Sequence, residues 1–205
     1  MRLITFSGID GSGKSTQLSL LREHLERDDK RVAYFHAVEF SLINRIVRRL
    51  KGRGTFEAGQ ERAVTRASWL SLVLRQKFLF IDILRFRSLL RKLEKQGCEY
   101  LLSDRYFYDS FVHLEYLARD HKPRFILWDY RMRLLDRLIP RPDRAFLLDL
   151  DPETVTTRER APEQDGTYLR SKRVIFLEHI ANWRLVTINA GRNPADVSHD
   201  IVSRL

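Results

Sequence analysis

The apolar positions of the chain fall into short β-type runs separated by longer helical stripes. Leu3-Ile4-Thr5-Phe6 belongs to a run over 2–7 that predicts the first strand. From 14 to about 28, Leu18, Leu21 and Leu25 recur on one face while Arg22, Glu23 and Glu26 lie elsewhere, which predicts an amphipathic helix. β-branched and aromatic residues over 31–36 predict a second strand. A strand, helix, strand opening calls for a parallel sheet.

Ser41 is a candidate cap for a helix reaching Leu50, which Lys51-Gly52-Arg53-Gly54 ends. The stretch from about 59 to 96 predicts one long helix or two in line, with Gly97 just past its C-terminus. Between 69 and 86 this stretch is apolar nearly all round. Such a helix is either interior, covering the sheet, or covered by another chain, and the pattern leaves both open. A strand over 100–104 follows, then helices over 110–118 and 129–138. Pro140-Arg141-Pro142-Asp143 breaks the chain before a strand over 145–150. Asp151 as N-cap and Pro152 at the first helical position open the next helix. After a polar break over 161–166 the pattern predicts a helix from about 170 to 182, a strand over 185–189 and a helix over 194–205. No internal repeat, low-complexity tract or domain linker interrupts it.

Gly8-Ile9-Asp10-Gly11-Ser12-Gly13-Lys14-Ser15-Thr16 links the first strand to the first helix and fits the pattern G-x-x-x-x-G-K-[ST]. Glycines let successive backbone N–H groups turn inward around phosphates, Lys14 reaches the outer phosphates, and the Ser15 hydroxyl can ligate Mg²⁺. The helix behind the loop adds the positive end of its dipole. Asp104 ends an apolar strand, where a phosphate-loop protein places its Mg²⁺-side carboxylate. Arg158 and Arg160 precede the polar break and Arg170, Lys172 and Arg173 follow it. Two basic clusters around such a stretch suit a lid closing over phosphates, and equally an ordinary charged loop. His113 and His121 lack metal-ligand spacing and read as surface histidines.

Composition narrows the picture. The 205 residues favour one domain with a proper core. Cys98 is the lone cysteine, which excludes a disulfide framework and a cysteine-built zinc site. The most apolar window, 70–84, contains Arg75, Lys77 and Asp82 and does not read as a membrane span. A strand begins almost at Met1, so no leader is expected and the expected compartment is the cytoplasm. The net charge of +10 is carried largely by arginines spread along the chain. That spread favours solvated helix faces and a site for small-molecule phosphates over a nucleic-acid partner.

Together these motifs resemble the thymidylate kinase family over nearly the whole chain. The likeness rests on Phe6 to Thr16, on Asp104-Arg105-Tyr106, on Pro142-Asp143 followed by Leu147-Leu148-Asp149-Leu150-Asp151-Pro152-Glu153, and on the arginine-bearing lid. The resemblance implies an α/β fold, a P-loop NTPase three-layer sandwich with a five-stranded parallel sheet flanked by helices. It implies a single kinase domain over 1–205 with a lid at about 156–172. It further implies transfer of the γ-phosphoryl group of ATP to a nucleoside 5′-monophosphate, most often dTMP to dTDP, with Mg²⁺, in a homodimer.

Carried over by motif, Gly11, Ser12, Gly13, Lys14, Ser15 and Thr16 would hold the ATP phosphates and the metal. Asp10 would face the acceptor, Asp104 would organise Mg²⁺, and Arg105 would hold the acceptor phosphate. Arg158 and Arg160 would be lid cations on the transferring phosphoryl group; no basic residue lies between Asp10 and Gly13 to do that work. Three departures concern the acceptor. Ser7 stands where the family has Glu, and His36-Ala37-Val38-Glu39-Phe40-Ser41 replaces its usual loop, with Glu39 and Phe40 as stand-ins and Phe40 available to stack on a base. The family's acceptor-contacting arginine falls near 82 or 83, with Arg85 the nearest. An intact donor site beside an altered acceptor site also fits a related kinase for another acceptor. A nucleotide-binding regulatory or nucleic-acid-associated protein is the reading from a different class, and the absence of an N-K-x-D signature disfavours a GTPase.

Overall fold

The computed structural model describes residues 1–42, 68–119, 126–156 and 166–205. Five strands, β1 (Arg2–Ser7), β2 (Val32–His36), β3 (Tyr100–Asp104), β4 (Arg144–Asp149) and β5 (Val186–Asn189), form one sheet in the order β2-β3-β1-β4-β5. Every neighbouring pair is parallel; Phe6 registers with Asp104 on one side and Phe146 on the other. Both faces are covered, so strand residues alternate between two cores rather than between core and solvent. Leu3, Leu101 and Leu147 enter one core, whereas Ile4, Phe6, Leu102, Phe146 and Leu148 enter the other.

Helices α1 (Lys14–Arg27) and α9 (Pro194–Val202) close the second core with Leu18, Leu21, Leu25, Val197 and Ile201. On the opposite side lie the short α2 (Ala37–Phe40), α3 (Trp69–Lys95), α4 (Phe107–Ala118) and α5 (Ile126–Leu138). The layers are completed by α6 (Pro152–Thr156), α7 (Gly166–Glu178) and α8 (Ile180–Trp183). This is the three-layer α/β arrangement of a phosphate-loop protein.

Several boundaries differ from the sequence pattern for identifiable reasons. Helix α3 starts at Trp69, where the Ser68 hydroxyl accepts from the Ser71 N–H at 3.4 Å as an N-cap; 59–67, read as part of this helix, lie outside the described residues. It ends as expected: Gly97 adopts φ 71°, the Gly97 N–H reaches Glu94 O at 2.9 Å and the Cys98 N–H reaches Leu93 O at 3.0 Å. Helix α4 begins at Phe107 rather than 110, since the Asp109 carboxylate accepts from the Tyr106 N–H at 3.0 Å and closes the first turn early. The helix read from about 170 to 182 starts earlier, at Gly166, and divides near His179 into α7 and α8. Of the helix read over 41–50 and its glycine stop, 43–54 lie outside the described residues, as does His121.

The interior reading of the all-round apolar helix holds for one face of it. Leu72, Leu79, Ile83 and Phe86 of α3 are core. Leu70, 77% exposed, opens an uncovered stripe with Leu74, Ile81 and Leu84 on the outer face.

Candidate active site

The loop after β1 is shaped by glycines that a side chain could not replace. Gly8, Gly11 and Gly13 all have positive φ (146°, 83° and 90°), and a Cβ at Gly8 would stand 2.7 Å from the Leu148 carbonyl oxygen. Helix α1 starts immediately behind at Lys14. The Lys14 ammonium curls back over the loop, donating to Ile9 O at 2.8 Å and Gly8 O at 3.0 Å. Burial pushes its pKa down to about 8, Arg105 adds to that, and Asp10, Asp109 and Asp104 oppose it. A lysine held there by two neutral carbonyls is poised to exchange them for anionic oxygens.

Ser15 Oγ donates to Asp104 Oδ2 at 2.6 Å, which joins the first turn of α1 to the end of β3. A hydroxyl and a carboxylate are the hard oxygen donors Mg²⁺ prefers, and Mg²⁺ usually completes its shell with water and substrate phosphate. No group of three or more His, Cys, Asp or Glu suited to a metal exists among the described residues. The Ser15 hydroxyl and Asp104 carboxylate are oxygen donors of the kind Mg²⁺ takes.

On the other flank of the loop, Asp10 forms an ion pair with Arg105. Arg105 adopts φ 63°, an unusual conformation for a residue with a side chain, directly after β3. Its N–H is tied to Phe6 O at 3.0 Å, and the turn brings its guanidinium to Asp10. Asp10 has a second cation near it, Lys172 of α7, with Nζ 3.9 Å from Oδ2. Lys172 is only 3% exposed and its ammonium stands 5.2 Å from the Tyr168 ring centre. Burial lowers its pKa while the Asp10 charge raises it.

Lys172 thus leaves the cluster assigned to the lid. Its neighbours turn elsewhere: Arg173 grips Asp149 with two bonds of 2.6 and 2.9 Å, and Arg170 pairs with Glu153 at 3.1 Å on the surface. Read from Gly166, the buried positions Tyr168, Leu169, Lys172, Ile175 and Phe176 follow helical spacing, a signal that a helix start at 170 concealed. Arg158 and Arg160 lie outside the described residues.

His113 is no surface histidine. It sits within α4 with Nδ1 3.3 Å from the Tyr168 hydroxyl. Burial first, then the charges of Lys172 and Arg75, push its pKa down to about 3, so the ring is neutral at physiological pH. Ser7 Oγ donates to Asp109 Oδ2 at 2.7 Å, which ties the end of β1 to the first turn of α4 behind the loop.

Phe40 and Arg85, read separately as acceptor-side candidates, touch each other. The Arg85 guanidinium carbon stands 4.3 Å from the Phe40 ring centre, and Arg85 Nη1 donates to Phe40 O at 2.9 Å and to Asp82 Oδ1 at 2.6 Å. Asp82 also accepts from the Leu42 N–H at 3.1 and 3.2 Å. Burial raises the Asp82 pKa, and the Leu42 and Arg85 bonds counter it. The Phe40 ring further meets Phe35 and Phe86, at 5.0 and 6.3 Å between centres. Asp82 is thus the anchor of this corner, a role its position beside Arg85 on α3 could have suggested.

The family model described as thymidylate kinase matches residues 6–201. Similar curated proteins include a probable thymidylate kinase of Pyrobaculum aerophilum, 26% identical over 98% of this chain and 94% of that protein. A probable thymidylate kinase of Methanobrevibacter smithii is 26% identical, with 97% and 91% covered. A thymidylate kinase of Chromobacterium violaceum is 27% identical, with 100% and 93% covered.

Proposed function

The chain belongs to the thymidylate kinase family, and from that premise we propose that it transfers the γ-phosphoryl group of ATP to dTMP, giving dTDP and ADP. The observation that carries the reading is the Asp10–Arg105 pair beside Lys14 and Ser15: cations for an acceptor phosphate adjoin a loop built for donor phosphates.

Phosphoryl transfer asks for positioning and charge neutralisation more than covalent help. An oxygen of the dTMP phosphate, already anionic, forms the new bond to the γ-phosphorus. The bond from that phosphorus to the β–γ bridging oxygen breaks, and its electron pair stays on the β-phosphate of ADP. No general base is needed. In this reading Gly11, Ser12, Gly13 and Thr16 present donors to the ATP phosphates, while Lys14 trades its carbonyl partners for the outer ones. Arg105 and Lys172 hold the acceptor phosphate, with Asp10 orienting both cations. Ser15 and Asp104 would hold Mg²⁺, whose charge offsets that of the β- and γ-phosphates. Arg158 and Arg160 act from a lid that also keeps water from the γ-phosphate; read over about 156–172, it ends here before the buried positions of α7.

Phe40 and Arg85 shape the base end of the acceptor site. The whole chain, 1–205, works as one domain in the cytoplasm, and the exposed apolar stripe of α3 is where a second copy docks. Among the described residues no helix is long and apolar enough to cross a membrane.

The test is ADP formation from ATP and Mg²⁺ with a panel of nucleoside monophosphates, nucleosides and no acceptor. Strong dependence on dTMP is the expected result. Turnover confined to another acceptor overturns the dTMP assignment, and ADP formation indifferent to every acceptor overturns the transfer reaction.

A further inference from the structure

Gln76 occupies an unexpected place on the inner face of α3. It belongs to a buried stripe with Leu72, Leu79, Ile83 and Phe86, and it is 4% exposed. Among the described residues, neither its amide nitrogen nor its amide oxygen has a hydrogen-bond partner. A leucine would suit this stripe without leaving a donor and an acceptor unmet, and such groups in a folded protein call for an explanation.

Its surroundings supply one. Arg75, next along the helix, meets Ser71 Oγ at 3.5 Å, and its charge is felt at His113 along with those of Lys172, Asp10 and Arg105. About 9 Å further along the axis, Asp82 and Arg85 hold Phe40 and Leu42. Along the axis of α3 the unmet amide therefore falls between Arg75 and the Asp82–Arg85 pair.

We propose that the Gln76 carboxamide reads the base of the acceptor nucleotide, accepting from the imide N3–H of thymine and donating to the adjacent carbonyl oxygen. A carboxamide sets one acceptor and one donor side by side, and the thymine imide edge presents the complementary pair. Leu72 and Leu79, one turn to either side, keep the surroundings apolar, where hydrogen bonds are strong and discriminating. The inference rests on dTMP being the acceptor.

The experiment compares the full-length wild type with Gln76→Leu, and with Gln76→Met as a differently shaped second replacement. Both variants are expected to keep or raise the Tm, since an unmet buried amide is removed. They are expected to raise KM for dTMP about 10- to 100-fold and to leave KM for ATP within about twofold. N3-methyl-dTMP lacks the imide hydrogen. The wild type is expected to lose about 10-fold or more in kcat/KM on it, and the variants to treat it and dTMP alike. Wild-type KM for dTMP in the variants, or variants that still discriminate against N3-methyl-dTMP as strongly as the wild type does, overturns the proposal, because Gln76 would then hold a water or merely pack. If the wild type turns over another monophosphate and ignores dTMP, the dTMP assignment fails separately. A raised KM for that acceptor in the variants then supports base reading by Gln76, and an unchanged KM overturns it.

Discussion

The phosphate loop of this kinase and the side-chain wall proposed to face the acceptor are built in different ways. The loop is one continuous stretch, 8–16, whose backbone N–H groups are set by Gly8, Gly11 and Gly13 in conformations that residues with side chains rarely adopt. The wall is assembled from side chains: Asp10 from the loop, Arg105 from the end of β3, His113 from α4, Tyr168 and Lys172 from α7, and Phe40, Asp82 and Arg85 from α2 and α3. A backbone cradle leaves little room for change. A wall of side chains can be rebuilt one residue at a time. If the proposed roles hold, that difference accounts for departures at Ser7, 36–41 and Ile83 beside an intact phosphate loop.

The comparison can be broken most directly at Lys14. Lys14→Ala removes the loop's mobile cation and is expected to lower kcat about 10²- to 10³-fold, measured as ADP formed at saturating ATP and dTMP. A variant with near-wild-type kcat would mean that the loop does not contact the reacting phosphates.

Lys172→Met sharpens the other half. It is expected to raise KM for dTMP about 10-fold with KM for ATP nearly unchanged. Thermal stability should hold, because a desolvated ammonium is removed. Equal changes in both KM values would erase the boundary drawn between donor and acceptor.

The smallest effect concerns His113. Its pKa lies near 3 in the folded protein against about 6.5 in the unfolded chain. Between those values the unfolded chain binds the extra proton, so its contribution is complete above about pH 6.5 and is lost on acidification. The loss is at most about 1.4 kcal/mol per pH unit. Urea denaturation at pH 7 and pH 5 should show a smaller acid-induced loss in His113→Gln than in the wild type. Parallel losses in the two proteins would place His113 in water.

The fold was largely legible because its signals are local. Leu3-Ile4-Thr5-Phe6, the Leu18, Leu21 and Leu25 stripe and Gly97 each act within a few residues, and the structure puts a strand, a helix face and a helix stop there. The errors gathered where long-range contact decides. The inward turn of Lys172 depends on Asp10, which is far away in sequence; the start of α4 is the exception, a local signal from Asp109 three residues past Tyr106. His113 looked like a surface residue because nothing near it in sequence announces α7 packing over it.

The sequence by itself determined the parallel βαβ opening, the phosphate loop with its lysine and serine, and the carboxylate at the end of β3, since each depends on the chain's local periodicity and on glycine's conformational freedom. Only the tertiary structure decided that Ser7 bonds Asp109, that Lys172 joins Arg105 at Asp10, that Asp82 anchors Arg85 and Phe40, and that Gln76 is buried with its amide unmet. Those outcomes turn on which side chains lose their water together, and that is settled only when distant helices pack against one sheet.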